Sequence, residues 1–315
     1  MPSIVVTGAT GTQGGATARA LLDAGHRVRA LTRHPDSPAA DTLRTLGAEV
    51  RHADFDDRAS LDAALTGADS LFAVTTPFGT DVTVEVRQGK ALIDAAAAAG
   101  LGHIVLTSVA HADRDTGVPH YESKHLVEQH LRSAGVPWTV IAPAAFMDNY
   151  AGSWILDGLR EGTFAWPMPA DRPLTLISAA DIGAFAALVL RRRDEFTGRR
   201  IDIASDERTP RQIAETLAAA IGRPITHQQV PLADVRTRSA DLAAMFDYFT
   251  TIGLDVDVAR LRRDHPDIGW HSLADWAAGQ DWAALSLRQL EIAGRRAGVT
   301  ALRGAHAGGG RQSAE

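Results

Sequence analysis

Two stretches of the 315-residue chain combine residue types and spacings that could do chemistry. Near the N-terminus, Ser3-Ile4-Val5-Val6-Thr7 runs into Gly8-Ala9-Thr10-Gly11-Thr12-Gln13-Gly14-Gly15. Gly8 supplies the backbone freedom for a sharp strand-to-helix turn. Gly11 lets a pyrophosphate approach the backbone, and Gly14 lets the following helix pack on the strand. The unpaired N–H groups and the dipole of that helix would hold phosphate charge. Glycine-rich turns also occur as plain structure; the position between strand and helix is what points to a dinucleotide site.

The second stretch is His120-Tyr121-Glu122-Ser123-Lys124. On a helix, His120 and Lys124 lie about 40° apart and Tyr121 and Lys124 about 60°, so all three can face one pocket. A lysine there can bond a nicotinamide ribose through its compact ammonium, which a planar guanidinium copies badly. Of the 32 basic residues only Lys90 and Lys124 are lysines, which sharpens the point; Lys90 reads as an exposed charge. Histidine, with a pKa near neutrality, could serve as a proton donor, as could Tyr121.

Further candidates sit where strands end. Arg33 stands 19 residues beyond Gly14, where an acid would bond the ribose diol of NAD. A cation there suits the 2′-phosphate of NADP, so NADP(H) is expected over NAD(H). Asp54 and Phe55 could meet the adenine, or Asp54, Asp56 and Asp57 could simply cap the next helix. Thr75, Thr76 and Pro77 close a strand beside the cofactor riboses, and Ser108 could turn its hydroxyl to the nicotinamide or merely end its strand. Phe146 could cover a planar ligand and Asn149 bond a carboxamide; an apolar anchor and a polar turn are the plainer roles. The twelve histidines show no metal-ligand spacing, so no metal site is expected.

The elements that must position these residues alternate as in a doubly wound parallel sheet. Ile4 to Val6 is the first strand and Ala16 to Ala24 lies in the first helix. Strands follow at Arg27 to Thr32, Glu49 to Ala53, Asp69 to Thr75, His103 to Thr107 and Trp138 to Ala142. Helices lie between them at Ala39 to Leu46, Ser60 to Leu65, Val82 to Ala99 and Tyr121 to Ala134. This predicts an α/β Rossmann domain over residues 1–150, with later segments returning to the sheet. Residues 151–280 are expected to form a smaller, mostly helical substrate lobe. It has helical pieces at Ala145 to Gly158, Ala179 to Arg191, Pro210 to Ala220 and Pro231 to Phe249, and a strand near Arg200 to Ala204. An extra helix over 281–303 and a disordered tail over 304–315 complete the expectation.

With 45% hydrophobic residues, the chain can bury a full core. No cysteine is present, which removes disulfides and thiolate chemistry. A net charge of −6 argues against general nucleic-acid binding. No apolar run is long enough to span a membrane and no secretory leader is evident, so a cytoplasmic protein is expected.

The chain resembles the NmrA-like family of atypical short-chain dehydrogenases/reductases. The resemblance rests on Val6 through Gly15, Leu31-Thr32-Arg33, Gly47-Ala48-Glu49-Val50 leading to Asp54 and Asp57, Gln88-Gly89-Lys90, Lys124, and Pro143 through Asn149, and it extends to about Trp276. It implies NADP bound in an extended pose with a C-terminal lobe enclosing a cleft. Two kinds of function go with it: NAD(P)H-dependent reduction of quinones and related planar or carbonyl compounds, and redox sensing in which cofactor state governs binding to a partner protein. The oligomeric state stays open. One departure matters: active short-chain enzymes carry Tyr-x-x-x-Lys, and here His120 stands four before Lys124 while Tyr121 stands three before it. That puts the proton donor in question and disfavours a third reading, an extended-class sugar-nucleotide or isomerase enzyme.

Overall fold

The computed structural model describes residues 2–78 and 81–285. The strands are β1 (Ser3–Val6), β2 (Arg27–Thr32), β3 (Glu49–His52), β4 (Ser70–Val74), β5 (His103–Thr107) and β6 (Trp138–Pro143). Helices α1 (Thr12–Asp23), α2 (Pro38–Thr45), α3 (Arg58–Leu65), α4 (Val82–Ala98) and α5 (Pro119–Ser133) connect them. The strands pair in parallel in the order β3-β2-β1-β4-β5-β6, the arrangement expected of a Rossmann sheet. Side chains of the central strands alternate between two buried faces. Val6, Phe72, Val105 and Ile141 belong to one cluster and Val5, Leu71, Ile104 and Val140 to the other, which is why these strands read as continuous apolar runs.

Beyond β6 the chain forms β7 (Ala145–Phe146), a 3₁₀ turn (Met147–Ala151), α6 (Ser153–Arg160), β8 (Thr163–Trp166) and β9 (Leu174–Ile177). It then returns to the sheet. Helix α7 (Ala179–Arg191) lies so close to α1 that a Cβ on Gly183 would stand 2.6 Å from the Ala16 carbonyl carbon. After α8 (Arg193–Phe196), β10 (Arg199–Ile203) adds a seventh parallel strand beside β6.

The remaining lobe comprises β11 (Asp206–Arg208), α9 (Pro210–Ile221), β12 (Thr226–Gln229), α10 (Leu232–Arg238), α11 (Ala240–Thr251), α12 (Val258–Asp264) and α13 (Leu273–Ala278). It differs from the sequence expectation in three places. The helical piece expected from Ala145 begins as a strand, because Ala145 and Phe146 pair with Leu176 and Ile177. The segment Pro231 to Phe249 is two helices, broken at Ser239, whose hydroxyl caps α11 by accepting from Leu242 N. Two small sheets, β11-β9-β7 and β12-β8, accompany the helices; their strands of two to four residues are too short to carry a periodic signal. The helix expected over 281–303 falls almost wholly outside the described residues, and the tail at 304–315 entirely so. Among the described residues no helix is long and apolar enough to cross a membrane.

Candidate functional site

The candidate residues follow the carboxyl ends of β1 to β6, where open α/β sheets take their ligands. At the first of these ends Gly8 has a φ of 58°, and Gly11 N donates to Gly8 O at 2.9 Å. A Cβ on Gly14 would stand 2.3 Å from Gly8 O and 2.4 Å from Gly8 C, so α1 sits directly on the turn and tolerates no side chain there. Gly11 differs: a Cβ there would meet only Gly8 O, at 3.3 Å. Gly11 caps α1 with no side-chain acceptor for the first-turn N–H groups and no acid in that turn. Thr10, Gly11 and Thr12 are exposed. A helix start left uncapped and uncharged in this way fits a phosphate. Gln13 reaches across to β5, its Oε1 accepting from Thr107 Oγ1 at 2.7 Å.

Around this turn lie the residues expected at the adenosine end. Arg33 is exposed and makes no hydrogen bond or ion pair among the described residues. Asp54 accepts from Asp56 N, and Asp57 caps α3 through Ala59 N and Ser60 N, so the capping role is realised at Asp57. Asp56 is bonded by Arg87 and Gln88 and also feels the Arg33 charge, and is held below the usual carboxylate range. Phe55 packs at the edge of the core.

The other end is a side-chain network. Lys124 Nζ donates to Thr75 O at 3.0 Å and to Glu85 Oε1 at 2.8 Å. Glu85 is fully buried and also accepts from Thr75 Oγ1 (2.9 Å) and Ser123 Oγ (2.5 Å). The ammonium therefore keeps one of its three donors uncommitted. Helix α4 approaches α5 closely at Gly89, where a Cβ would lie 2.7 Å from Val127 Cγ2. Thr76 is exposed, its hydroxyl accepting from Phe78 N, while Pro77 is buried. The Ser108 hydroxyl is buried without a hydrogen-bond partner among the described residues. Such an orphan at a strand end fits a polar ligand group.

His120 and Tyr121 part company. His120 Nδ1 meets Asp241 Oδ1 of α11 at 2.7 Å, and its backbone N donates to the same oxygen. Its ring lies 5.6 Å from Phe78 and 4.8 Å edge-on to Tyr121. Burial acts to raise the Asp241 carboxyl pKa, but the bonds and charge of His120 outweigh it and hold the group below its ordinary value. Tyr121 turns into the apolar cluster with Val118, Met147 and Tyr150, and burial pushes its phenol far above its ordinary value. Phe146 is half-buried against the core and Asn149 is exposed.

Sequence reasoning missed Glu85, Asp241 and the His111 bracket. Glu85 left a trace: it falls on the buried stripe of α4 with Gly89, Leu92 and Ala96, a carboxylate among apolar positions. His111, buried, has a φ of 68°, the only non-glycine residue in that region among those described. It ties the β5–α5 loop to Tyr248 and Asp255 at 3.0 and 2.5 Å, and Arg114 doubles the grip on Asp255. Nothing local in the sequence marks it. Among the described residues no group of three or more side chains could hold a metal ion.

Comparison with known proteins gives this geometry its setting. The family model for the NmrA-like family matches residues 2–282. A (4-alkanoyl-5-oxo-2,5-dihydrofuran-3-yl)methyl phosphate reductase of Streptomyces griseus is 34% identical over 238 residues, 74% of this chain and 79% of that protein. Quinone oxidoreductase 2 of Escherichia coli is 30% identical over 235 residues, 73% of this chain and 79% of that protein. The crystal structure of an NADPH-dependent quinone oxidoreductase from Escherichia coli, complexed with NADPH, superposes with a TM-score of 0.72 at 26% identity, covering 87% of this chain and 98% of that one. The chain belongs to the NmrA-like family.

Proposed function

We propose that this protein is an NADPH-dependent oxidoreductase that reduces a small planar or carbonyl acceptor such as a quinone, enal or imine. The observation that carries the reading is the Lys124 ammonium, fixed by Glu85 and by Thr75 O just beyond β4, with one donor left among the described residues, while the neighbouring strand β1 runs into an uncapped glycine turn. Relatives named as reductases and a neighbour holding NADPH support it.

In this reading the first-turn N–H groups of Thr12, Gln13 and Gly14, with Gly8, Thr10 and Gly11, hold the pyrophosphate. Arg33 grips the 2′-phosphate and sets the preference for NADP(H) over NAD(H). Asp54 and Phe55 flank the adenine, and Thr75, Thr76 and Pro77 line the ribose path. Lys124 bonds the nicotinamide ribose, and Ser108, Phe146 and Asn149 border the nicotinamide. When bound, NADPH supplies the hydride. The chain's own part is to orient the ring, exclude water with residues of the 151–280 lobe, and supply a proton where the product needs one. Of the two candidates, His120 suits that task better than Tyr121, whose burial opposes any loss of its proton.

NADPH oxidation against a panel of quinones, enals, ketones and imines tests the proposal, and turnover with at least one class is expected. The absence of a tyrosine four before Lys124 favours one competing reading, a redox sensor acting through a partner protein. Tight NADPH binding, no turnover across the panel, and different protease-sensitivity patterns with NADP and NADPH would establish that instead.

A further inference from the structure

We propose that Asp241 and His120 form a carboxylate–imidazole dyad in which Asp241 is a positioning residue and His120 Nε2 delivers the proton to the reduced acceptor. The inference rests on the oxidoreductase reading and adds the partner that positions the histidine. Asp241 Oδ1 takes both the His120 backbone N–H, at 3.2 Å, and Nδ1, at 2.7 Å. This double contact fixes the ring and commits Nδ1 to the carboxylate, leaving Nε2 with no hydrogen-bond partner among the described residues. The ring's exposure is only 6%, so the contact is little screened by water. His120 precedes Lys124 by one helical turn, on the same face of α5.

The charged and titratable groups around the ring are few. On its own helix they are Tyr121 and Lys124, and the Lys124 charge is answered by Glu85 on α4. From α11 comes Asp241, and the β4–α4 loop presents the neutral Phe78. The carboxylate against Nδ1 fixes the ring's orientation and leaves Nε2 as the nitrogen that can face an acceptor.

The chemistry balances simply. A carbonyl acceptor takes a hydride at carbon from NADPH and a proton at oxygen from His120 Nε2. The products are an alcohol, NADP⁺ and a neutral imidazole still bonded through Nδ1–H to Asp241, and water restores the Nε2 proton.

The test uses Asp241→Asn, which keeps an oxygen acceptor for both N–H groups but removes the charge, beside His120→Ala. Circular dichroism and NADPH titration first confirm that both variants fold and bind cofactor like the wild type. In the cofactor-free protein, the ring tautomer read from ¹⁵N shifts is expected to be Nδ1–H in the wild type, and that preference is expected to weaken in Asp241→Asn. With a carbonyl or enal acceptor, kcat should fall about tenfold in Asp241→Asn with little change in KM. His120→Ala should lose on the order of a hundredfold in kcat with little change in KM. An unchanged tautomer and kcat in Asp241→Asn, or full turnover in His120→Ala, overturns the dyad while leaving the oxidoreductase reading intact. Reduction of quinones alone, with carbonyls and enals untouched, also overturns it. If the wild type reduces no acceptor at all, the oxidoreductase reading falls and the dyad's proton-donating role with it, even where the ¹⁵N difference persists.

Discussion

Helix α1 meets its turn through backbone atoms of Thr7, Gly8 and Gly14, all within eight residues, whereas Lys124 is held by Thr75 and Glu85, 49 and 39 positions away in the chain. At the glycine turn the proposed binding surface is main chain, left exposed and uncapped, and its tolerance is steric. At the α4–α5 contact the surface is a buried ion pair with two hydroxyls, and its tolerance is electrostatic. A site built from backbone depends on the absence of side chains. A site built on a buried charge depends on every partner at once.

Lys124→Met should produce the largest effect, because it strands the Glu85 carboxylate in a dry environment. A loss of about 3–5 kcal/mol in urea-unfolding stability is expected, together with weakened NADPH binding. The double variant Glu85→Gln/Lys124→Met should recover much of the stability and none of the binding. If the single variant is as stable as the wild type, the pair is not the buried unit described, and the contrast between the two ends collapses.

That contrast also explains what the sequence discloses. The glycine turn is legible because its whole determinant lies between Val6 and Gly15, and the Rossmann order follows from strand and helix periods of local origin. Lys124 was legible through its rarity. Its partner Glu85 showed only as a carboxylate on the apolar stripe of α4, and the His120 partner Asp241 not at all, since both contacts are made by tertiary folding. The strands of the second lobe escaped for a related reason: Ala145–Phe146 is a strand only because Leu176 and Ile177 lie beside it.

Gly11→Val and Gly14→Ala sharpen the steric half of the comparison. At position 14 even a methyl group collides with the backbone of Gly8, so Gly14→Ala should lower the melting temperature with or without cofactor. At position 11 a Cβ would press on Gly8 O at 3.3 Å, which a shift of a few tenths of an ångström relieves, so Gly11→Val should lose far less in melting temperature than Gly14→Ala. Its β-branched side chain would nevertheless stand in the phosphate's approach and cost several charge-assisted bonds, each worth about 1.5–3 kcal/mol. Binding weaker by on the order of a thousandfold or more in calorimetric titration is expected. Normal NADPH affinity in Gly11→Val would place the phosphates elsewhere.

Arg33→Ala probes the exposed end more gently. The guanidinium has no hydrogen-bond or ion-pair partner among the described residues, so its removal should leave stability untouched. Loss of one charge-assisted contact, about 1.5–3 kcal/mol, should weaken NADPH by tenfold or more while NADH binding stays the same. Parallel titrations of both cofactors decide it: an unchanged ratio removes Arg33 from the specificity assignment.

The smallest effect belongs to the bond that joins the two regions. Thr107 Oγ1, at the end of β5, donates to Gln13 Oε1 in the first turn of α1, 94 residues away in the chain. It is a neutral hydrogen bond between a buried hydroxyl and a half-buried amide, and the Thr107 side chain bonds none of Lys124, Glu85, Thr75 and Ser123 among the described residues. Thr107→Val keeps the shape and removes the donor, so a loss of about 0.5–1.5 kcal/mol in stability is expected. If the glycine turn and the buried pair are mechanically independent, NADPH affinity should change less than threefold, and the effect of Lys124→Met should add to that of Thr107→Val within about 0.5 kcal/mol. A double-mutant cycle by urea unfolding measures the second quantity directly. Coupling above about 1 kcal/mol would mean that Gln13 transmits the state of one end to the other, and the two would have to be treated as a single cooperative unit.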